Sequence, residues 1–469
     1  MELSANDITQ IVEGVLRRLK DAPGYNKNGH LPLGIFETLD EAYQETSIAY
    51  KKIRNLELRD RIIQAIRQAS VDHARELAEI AVKETGMGRI DDKTNKNLLV
   101  ARHTPGPEVL KPTALSGDHG LTLIENAPWG VIASVTPSTN PAATIINNSI
   151  SMISAGNSVI FSPHPAAKAV SQQTISILNE AVIKVGGPAN LITTIAEPSI
   201  EAANNLFRYP GINLLVITGG EAVINAAKKV TDKRLMAAGA GNPPVVIDET
   251  ADLARAAKSV VFGASFDNNI VCVDEKEILI VDSVADEFKR EMKKYNAYEL
   301  TISQADELAK VVFKNYPSNE IVLNRKFVGK DAKVLAEAIG LNVPDETKLL
   351  FVETDKNHPF PQTEMMMPVI SIVRARNADE AIDWGIELEH GLKHTAAMHS
   401  RNIDNLHRMA VEINTSLFIK NGPCLAGLGY GGEGWTSMTI STPTGEGVTS
   451  AKSFARLRRC TLVDHFRIV

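Results

Sequence analysis

Cysteine is scarce in this 469-residue chain, which holds only Cys272, Cys424 and Cys460, with no C-x-x-C pair among them. That excludes a disulfide framework and a cysteine-built zinc centre, and it points to a reducing compartment. Positive charge is not in excess either. A net charge of -6 offers no basic surface on which nucleic-acid phosphates would collect. No apolar run reaches membrane-spanning length and no signal peptide is recognisable, so a cytosolic protein is expected. A dinucleotide fingerprint between a strand and a helix is also missing. The string Gly427-Leu-Gly429-Tyr-Gly-Gly432 has the G-x-G-x-x-G spacing, but no strand pattern precedes it and no helical pattern follows. It reads as a loop.

What is present is ordinary in bulk and informative in order. Hydrophobic residues make up 44% and charged residues 23%, as in soluble globular proteins, and the length calls for two or three domains. Ile8, Ile11, Val12, Val15, Leu16 and Leu19 recur at helical spacing, so residues 1–20 read as an amphipathic helix. Residues 21–34, rich in breakers, read as a linker. Such a tethered helix packs on its own domain or docks on a partner; without a strongly basic, aromatic-anchored face, membrane binding ranks third.

Thr38-Leu-Asp-Glu41 fits a capping box that opens a helix through Ala42, Ile48 and Ala49. One longer helix is expected from Leu56 to Glu84, with Ile62, Ile63, Ile66, Leu77, Ile80 and Ala81 as its buried face and Gly86 as its stop. Gly120 to Glu125 reads as a strand. From Trp129 to Asp248 the texture is βαβ, with strands at Val131–Val135, Ser158–Phe161, Leu191–Ile195, Leu214–Ile217 and Val245–Ile247. Helices are expected between them at 167–185 and 199–207. Several strands run into turns suited to phosphate and ribose: Thr136-Pro137-Ser-Thr-Asn140, Ser162-Pro163-His164, and Thr218-Gly219-Gly220 ahead of a helix. Further strands are expected at Glu320–Leu323, Lys348–Val352 and Val369–Val373.

One stretch brings chemistry to this scaffold. A small, polar turn region from Gly263 to Asn269 delivers Cys272 to the threshold of the apolar run Ile278–Val281. A thiol at a strand edge is held rigidly yet reachable from a cleft, as a nucleophile must be. The alternative is a small buried hydrophobe, which most free cysteines are. Glu364, four residues before Pro368, is a solvated loop acid unless other groups recruit it. His390 and His394 stand at i, i+4, but the intervening Gly391 and the lack of a nearby third acidic ligand argue against a metal. A single histidine serving a thiol as acid or base is the sharper idea. The exposed-looking Arg456, Arg458 and Arg459 suit intersubunit pairing or an anionic ligand.

From about Leu31 onward the ordered motifs resemble the aldehyde dehydrogenase superfamily, and most of all its CoA-acylating propionaldehyde and acetaldehyde branch. They are Pro128-Trp-Gly-Val-Ile-Ala133, Thr136 to Pro141, Ala155-Gly-Asn-Ser-Val-Ile-Phe-Ser-Pro-His-Pro165 and Ile217-Thr-Gly-Gly220. Phe266-Asp-Asn-Asn-Ile-Val-Cys272, Glu364 with Pro368-Val369, Glu389 to Thr395 and Gly445-Glu-Gly-Val-Thr-Ser450 complete the series. The resemblance implies an α/β fold with a Rossmann-type cofactor domain (35–108 and 126–245) and an α/β catalytic domain (246–440). A small oligomerisation element (109–125 and 445–469) would pair subunits into a dimer or tetramer.

The activity implied is oxidation of a short aliphatic aldehyde to its acyl-CoA, with NAD as hydride acceptor and coenzyme A as co-substrate. Cys272 would carry the thiohemiacetal and then the thioester. Glu364 matches the glutamate that holds the nicotinamide ribose. Thr136, Pro137, Ser162, Pro163, His164, Thr218, Gly219 and Gly220 match the cofactor wall. Ser162 replaces the lysine that usually meets the adenosine ribose, so NAD rather than NADP rests on the branch alone. Hydrolytic members carry Glu-Leu-Gly-Gly-Lys where this chain has Ala237-Ala-Gly-Ala-Gly-Asn-Pro243. Without that glutamate to activate water, the thioester waits for a thiol. Asn140 or its neighbour Thr139, with the Cys272 N–H, would meet the oxyanion, and His394 would be a base or a structural histidine. Residues 1–20 resemble encapsulation peptides that dock enzymes to shell proteins of bacterial microcompartments. Rival readings are a CoA-dependent semialdehyde dehydrogenase, a hydrolytic aldehyde dehydrogenase and a non-enzymatic shell cargo.

Overall fold

The computed structural model describes residues 31–317 and 321–469, so the amphipathic stretch and the linker as far as residue 30 lie outside the described residues. The chain enters through β1 (Ile35–Phe36) and α1 (Leu39–Tyr50). The capping box is there: the Glu41 N–H donates to Thr38 Oγ1 at 3.3 Å and the Thr38 N–H donates to Glu41 Oε2 at 3.1 Å. The single helix expected from Leu56 to Glu84 is instead two, α2 (Leu56–Asp72) and α3 (Ala74–Thr85). His73, at φ -104° and ψ 10°, leaves the helical region between them. The bend lets Leu77 and Ala81 reach the same core as Ile62, Ile63 and Ile66, which a straight helix would carry past it. Gly86 ends α3 at φ 65°, where an L side chain is strained. Then come α4 (Ile90–His103), β2 (Thr113–Gly117) and β3 (Gly120–Pro128).

The first large sheet is wholly parallel. It contains β1, β4 (Val131–Thr136), β5 (Ser158–Pro163), β6 (Ile192–Ile195), β7 (Leu214–Thr218) and β8 (Arg234–Ala238), in the order β1-β6-β5-β4-β7-β8. The connections are α5 (Pro141–Ser154), α6 (Lys168–Lys184), α7 (Ile200–Arg208) and α8 (Glu221–Val230). From β4 the chain winds outward through β5 and β6, then returns to the other side of β4 for β7 and β8. The carboxyl ends of β4 and β7 are therefore neighbours across a reversal of winding, the place where open α/β sheets leave a crevice. Every residue of α5 is buried. A helix covered on all sides has no polar stripe, which is why periodicity does not reveal it.

The second large sheet is parallel as well. It comprises β9 (Pro244–Ile247), β10 (Glu277–Val281), β11 (Ala297–Glu299), β12 (Leu349–Glu353), β13 (Val369–Ala375), β14 (Thr395–His399) and β15 (Leu417–Lys420), ordered β11-β12-β13-β10-β9-β14-β15. Its helices are α9 (Leu253–Ser265), α10 (Asp282–Lys293), α11 (Ile302–Val312), α12 (Ala332–Glu337), α13 (Ala378–Leu388) and α14 (Ile403–Ile413). Val245–Ile247, which the sequence pattern groups with the first alternation, is thus an inner strand of the second sheet. The strand expected at 320–323 is not formed: Glu320 lies outside the described residues, and Leu323 makes only an isolated bridge to Phe313.

After the short pair β16 (Ile440–Ser441) and β17 (Gly447–Val448), the chain ends in β18 (Ala455–Val463). This strand pairs antiparallel with β3 from Ala455 opposite Pro128 to Val463 opposite Gly120, giving a three-stranded sheet in the order β18-β3-β2. No helix among the described residues is long and apolar enough to cross a membrane.

Candidate active site

The route into Cys272 is built from three consecutive left-handed residues. After α9, Asp267, Asn268 and Asn269 have φ of 46°, 58° and 63°. Each costs about 1–2 kcal/mol in an ordinary residue, and Asn and Asp tolerate it best because their side chains bond locally. Here those side chains are all engaged. Asp267 accepts from the Arg89 N–H at 2.8 Å, from Lys93 Nζ at 3.0 Å and from Lys96 Nζ. Asn268 Nδ2 donates to the Gly329 carbonyl at 2.9 Å and to Asp331 Oδ1 at 3.0 Å. Asn269 Nδ2 donates to the carbonyls of Ala264 and Glu275, both at 2.9 Å. Beyond them the Val271 N–H meets Asp274 Oδ2 at 3.1 Å and the Asp274 N–H returns to the Val271 carbonyl at 3.0 Å. Cys272 sits inside that turn, half-buried.

Four adjacent strands aim their amino ends at this turn. In the sheet order β13-β10-β9-β14, Glu364 precedes β13, Cys272 precedes β10, Gly241 precedes β9 and His394 precedes β14. The Gly241 N–H donates to the Glu364 carboxylate. A side chain at Gly241 would place its Cβ 2.7 Å from the Cys272 carbonyl oxygen, 2.9 Å from His394 Cγ and 3.1 Å from its Nδ1. Only glycine leaves that space open. Asn242 anchors the same loop by donating to the carbonyls of Pro361 and Leu388 at 3.0 and 2.9 Å.

The electrostatics of the site are dominated by burial. Burial pushes the Cys272 thiol up to about 12, and the Glu364 carboxylate beside it adds to the rise while Lys276 opposes it. Burial also raises Glu364, against the pull of Lys276 and of the Gly241 amide. His394 is held down to about 4, first by burial and then by Lys276. Its backbone N–H donates to Glu389 Oε1 at 2.8 Å and its Nδ1 meets Thr395 Oγ1 at 2.8 Å, while the buried Nε2 has no partner among the described residues. His394 is thus a neutral imidazole in the same loop cluster as Cys272, across the Gly241 space from the Cys272 carbonyl oxygen. His390 does not join it. Its exposed ring meets the Gln362 carbonyl at 3.2 Å, and the left-handed Gly391 and Lys393 make the intervening chain a turn, so the i, i+4 spacing puts no two histidines on one helix face.

The other expected residues lie at the carboxyl ends of β4, β5 and β7. Thr136 and Pro137 leave β4, Ser162 and Pro163 leave β5 ahead of His164, and Thr218 leads to Gly219 and Gly220. The first and last groups straddle the reversal of winding. Thr136 Oγ1 is buried without a partner, and Gly220 caps α8 with no side chain over its first amides. An orphaned hydroxyl and an open helix N-terminus at a switch point fit a dinucleotide. Asn140 is the N-cap of α5. Its Oδ1 accepts from Lys96 and its Nδ2 donates to Thr139 Oγ1 at 3.2 Å, so the amide is oriented by the cluster around Asp267.

Three contributors escape the sequence. The Gly241 amide and the buried Lys276 and Lys96 gain meaning only once separate loops are brought together; a lone lysine among Asp274, Glu275 and Glu277 just ahead of an apolar strand is the one signal that Lys276 gives. Ala237, at the position of the hydrolytic glutamate, lies in β8 with its side chain in the apolar cluster around Ile217 and Ile224. Position 237 itself supplies no carboxylate; its N–H donates to Thr444 Oγ1 at 3.0 Å, and that hydroxyl donates to Glu446.

With this geometry in hand, comparison is decisive about lineage. The model of the aldehyde dehydrogenase family matches residues 25–434, and the chain belongs to that family. It is similar to acetaldehyde dehydrogenase (acetylating) EutE of Salmonella typhimurium, 61% identical over 468 residues that cover 100% of each chain. Among solved structures it is similar to a propionaldehyde dehydrogenase from the fucose utilisation bacterial microcompartment of Clostridium phytofermentans. That likeness has 41% identity and a TM-score of 0.90 and covers 93% of this chain and 100% of the other. A Rhodopseudomonas palustris propionaldehyde dehydrogenase with bound CoA and an acylated cysteine is 44% identical at a TM-score of 0.89, covering 92% of this chain and 98% of that one.

Proposed function

We propose that this chain is a CoA-acylating aldehyde dehydrogenase, converting acetaldehyde or propionaldehyde to the acyl-CoA with reduction of NAD. The observation that carries the reading is the Cys272 thiol at the meeting of four strand ends, with alanine at position 237 where a water-activating glutamate would stand. Acylating relatives at full-length similarity support it.

Cys272 Sγ attacks the aldehyde carbon, its proton passes to His394, and the carbonyl electron pair moves to oxygen. The Cys272 N–H and Asn140 Nδ2 are the donors assigned to that oxyanion. Glu364, steadied by the Gly241 amide, holds the nicotinamide ribose, while Thr136, Pro137, Ser162, Pro163, His164, Thr218, Gly219 and Gly220 line the rest of the dinucleotide crevice. When bound there, NAD accepts the hydride. The acyl group left on Cys272 as a thioester has no activated water beside it. Once His394 has released its first proton to solvent, it takes the proton of the CoA thiol, whose sulfur attacks the thioester carbon; Cys272 leaves as the thiolate and is reprotonated by His394.

Residues 1–20 are assigned to docking on a microcompartment shell protein, which would confine a volatile aldehyde; the source of the Clostridium relative supports this. Shell co-sedimentation unchanged by deletion of residues 1–20 would refute it. β18 with β3 is assigned to pairing of subunits as a dimer or tetramer.

NADH formation from propionaldehyde, with and without CoA, tests the whole reading in wild type and Cys272→Ala. Dependence on both CoA and Cys272 is expected. Turnover without CoA would mean that a carboxylate, Glu364 being the nearest to hand, activates water for hydrolysis.

A further inference from the structure

Three lysines are buried among the described residues, and one of them is unlike the others. Lys93 and Lys96 both donate to the Asp267 carboxylate. Lys276, 2% exposed, gives its three hydrogen bonds to neutral oxygens: the Asn269 carbonyl at 2.9 Å, Asn269 Oδ1 at 2.5 Å and the Val271 carbonyl at 3.4 Å. Burying a cation without a contacting anion costs several kcal/mol in general, a cost that Lys93 and Lys96 offset through Asp267 and that no ion pair offsets at Lys276.

Its position says what that charge does. The Val271 carbonyl belongs to the peptide whose nitrogen is that of Cys272. An ammonium pulling on the oxygen of a peptide strengthens its N–H as a donor, because hydrogen bonds in series polarise one another. Among the described residues no carboxylate is in ion-pair contact with Lys276, whose hydrogen bonds all go to amide oxygens. On its own segment Asp274, Glu275 and Glu277 are all raised, chiefly by burial, Glu275 to about 7 and the others well above the ordinary range. From the packed elements, Glu364 is raised, His394 is held neutral, and the Cys424 N–H donates to Glu275.

We propose that Lys276 is a positioning residue for the reaction. It pins the Asn269–Cys272 turn through three oxygens, polarises the Val271–Cys272 peptide toward the oxyanion, and supplies the positive charge beside which the Cys272 thiolate forms. As the sulfur–carbon bond is made and the carbonyl pair moves to oxygen, the negative charge arrives within reach of a donor that Lys276 has strengthened. The inference rests on Cys272 being the nucleophile.

The test uses the full chain with Lys276→Met, Lys276→Gln and Lys276→Arg. Rates of iodoacetamide alkylation are read against pH on the Cys272 peptide by mass spectrometry, since Cys460 is exposed and reacts too. NADH formation is measured in parallel. The neutral variants are expected to shift the Cys272 profile by about one pH unit or more toward alkaline pH and to lower kcat at least about tenfold, with Lys276→Arg recovering part of both. A folded neutral variant that keeps the wild-type profile and kcat overturns the proposal. So does failure of both neutral variants to fold, which is what a purely structural lysine would give. Cys272→Ala separates the two levels: if it retains activity the nucleophile assignment falls, whereas if it is inactive and Lys276→Met is normal only the role of Lys276 falls.

Discussion

The carbonyl oxygen of Cys272 and the imidazole of His394 lie on two sides of a space that holds no more than Gly241: a Cβ there would be 2.7 Å from one and 2.9 Å from the other. The contact with the Cys272 carbonyl is to backbone and cannot be relieved by turning a side chain. Gly241→Ala is therefore expected to displace the thiol turn or the histidine while leaving both sheets intact. Steady-state kinetics should show kcat lowered about tenfold to a hundredfold, with a native circular dichroism spectrum. Wild-type kcat in the alanine variant would show that the space is not part of the reacting geometry.

His394 is assigned to proton transfer and not to cofactor binding, and the two are separable. In His394→Ala, kcat is expected to fall about a hundredfold while the Kd for NAD, read by fluorescence titration, changes by less than about twofold. Equal losses in both quantities would sink the base role and leave a structural histidine.

The resting thiol gives a pH signature. A thiol held near 12 in place of 9 is ionised about a thousandth as often at neutral pH, because the folded surroundings favour the protonated form. Alkylation of Cys272 in the enzyme without ligands should then be slow at pH 7 and climb steadily to pH 10 with no plateau. A plateau below pH 9 would mean that the free enzyme already stores a thiolate.

β18 is exposed along nearly its whole length, with Leu457 at 72% and Val463 at 62%. A long strand with one unpaired edge and apolar side chains invites another chain. Light scattering is expected to report a dimer or tetramer for the full chain, and a smaller or aggregating species when residues 455–469 are removed. A monomeric full chain would contradict the assignment.

Much of this was legible before the structure. The β4, β5 and β7 turns announce themselves through small and polar residues after apolar β-branched runs, and Cys272 through its place before Ile278–Val281. The class of fold follows from that alternation. What the sequence hides are facts of assembly. Val245–Ile247 looks like one more strand of the first sheet because nothing local says that the chain has crossed to another. The all-buried α5 lacks a polar face, and the break at His73 answers to the core and not to helix propensity. At the site, Lys276 and the Gly241 amide are silent until four strand ends converge, since their partners are backbone atoms that have no letter.

The pairing of β18 with β3 also imposes an order in time. Pro128 and Arg456 are hydrogen-bonded across 328 positions of chain, so on the ribosome β3 is made long before its partner exists. Until then β3 has only β2 beside it, and its other edge is open to any strand nearby, including that of a second nascent chain. Of the three strands of this sheet, the one synthesised last is the one that covers the open edge of β3. Faithful completion of this protein is thus a race between elongation and unwanted pairing, decided at residues far from the thiol.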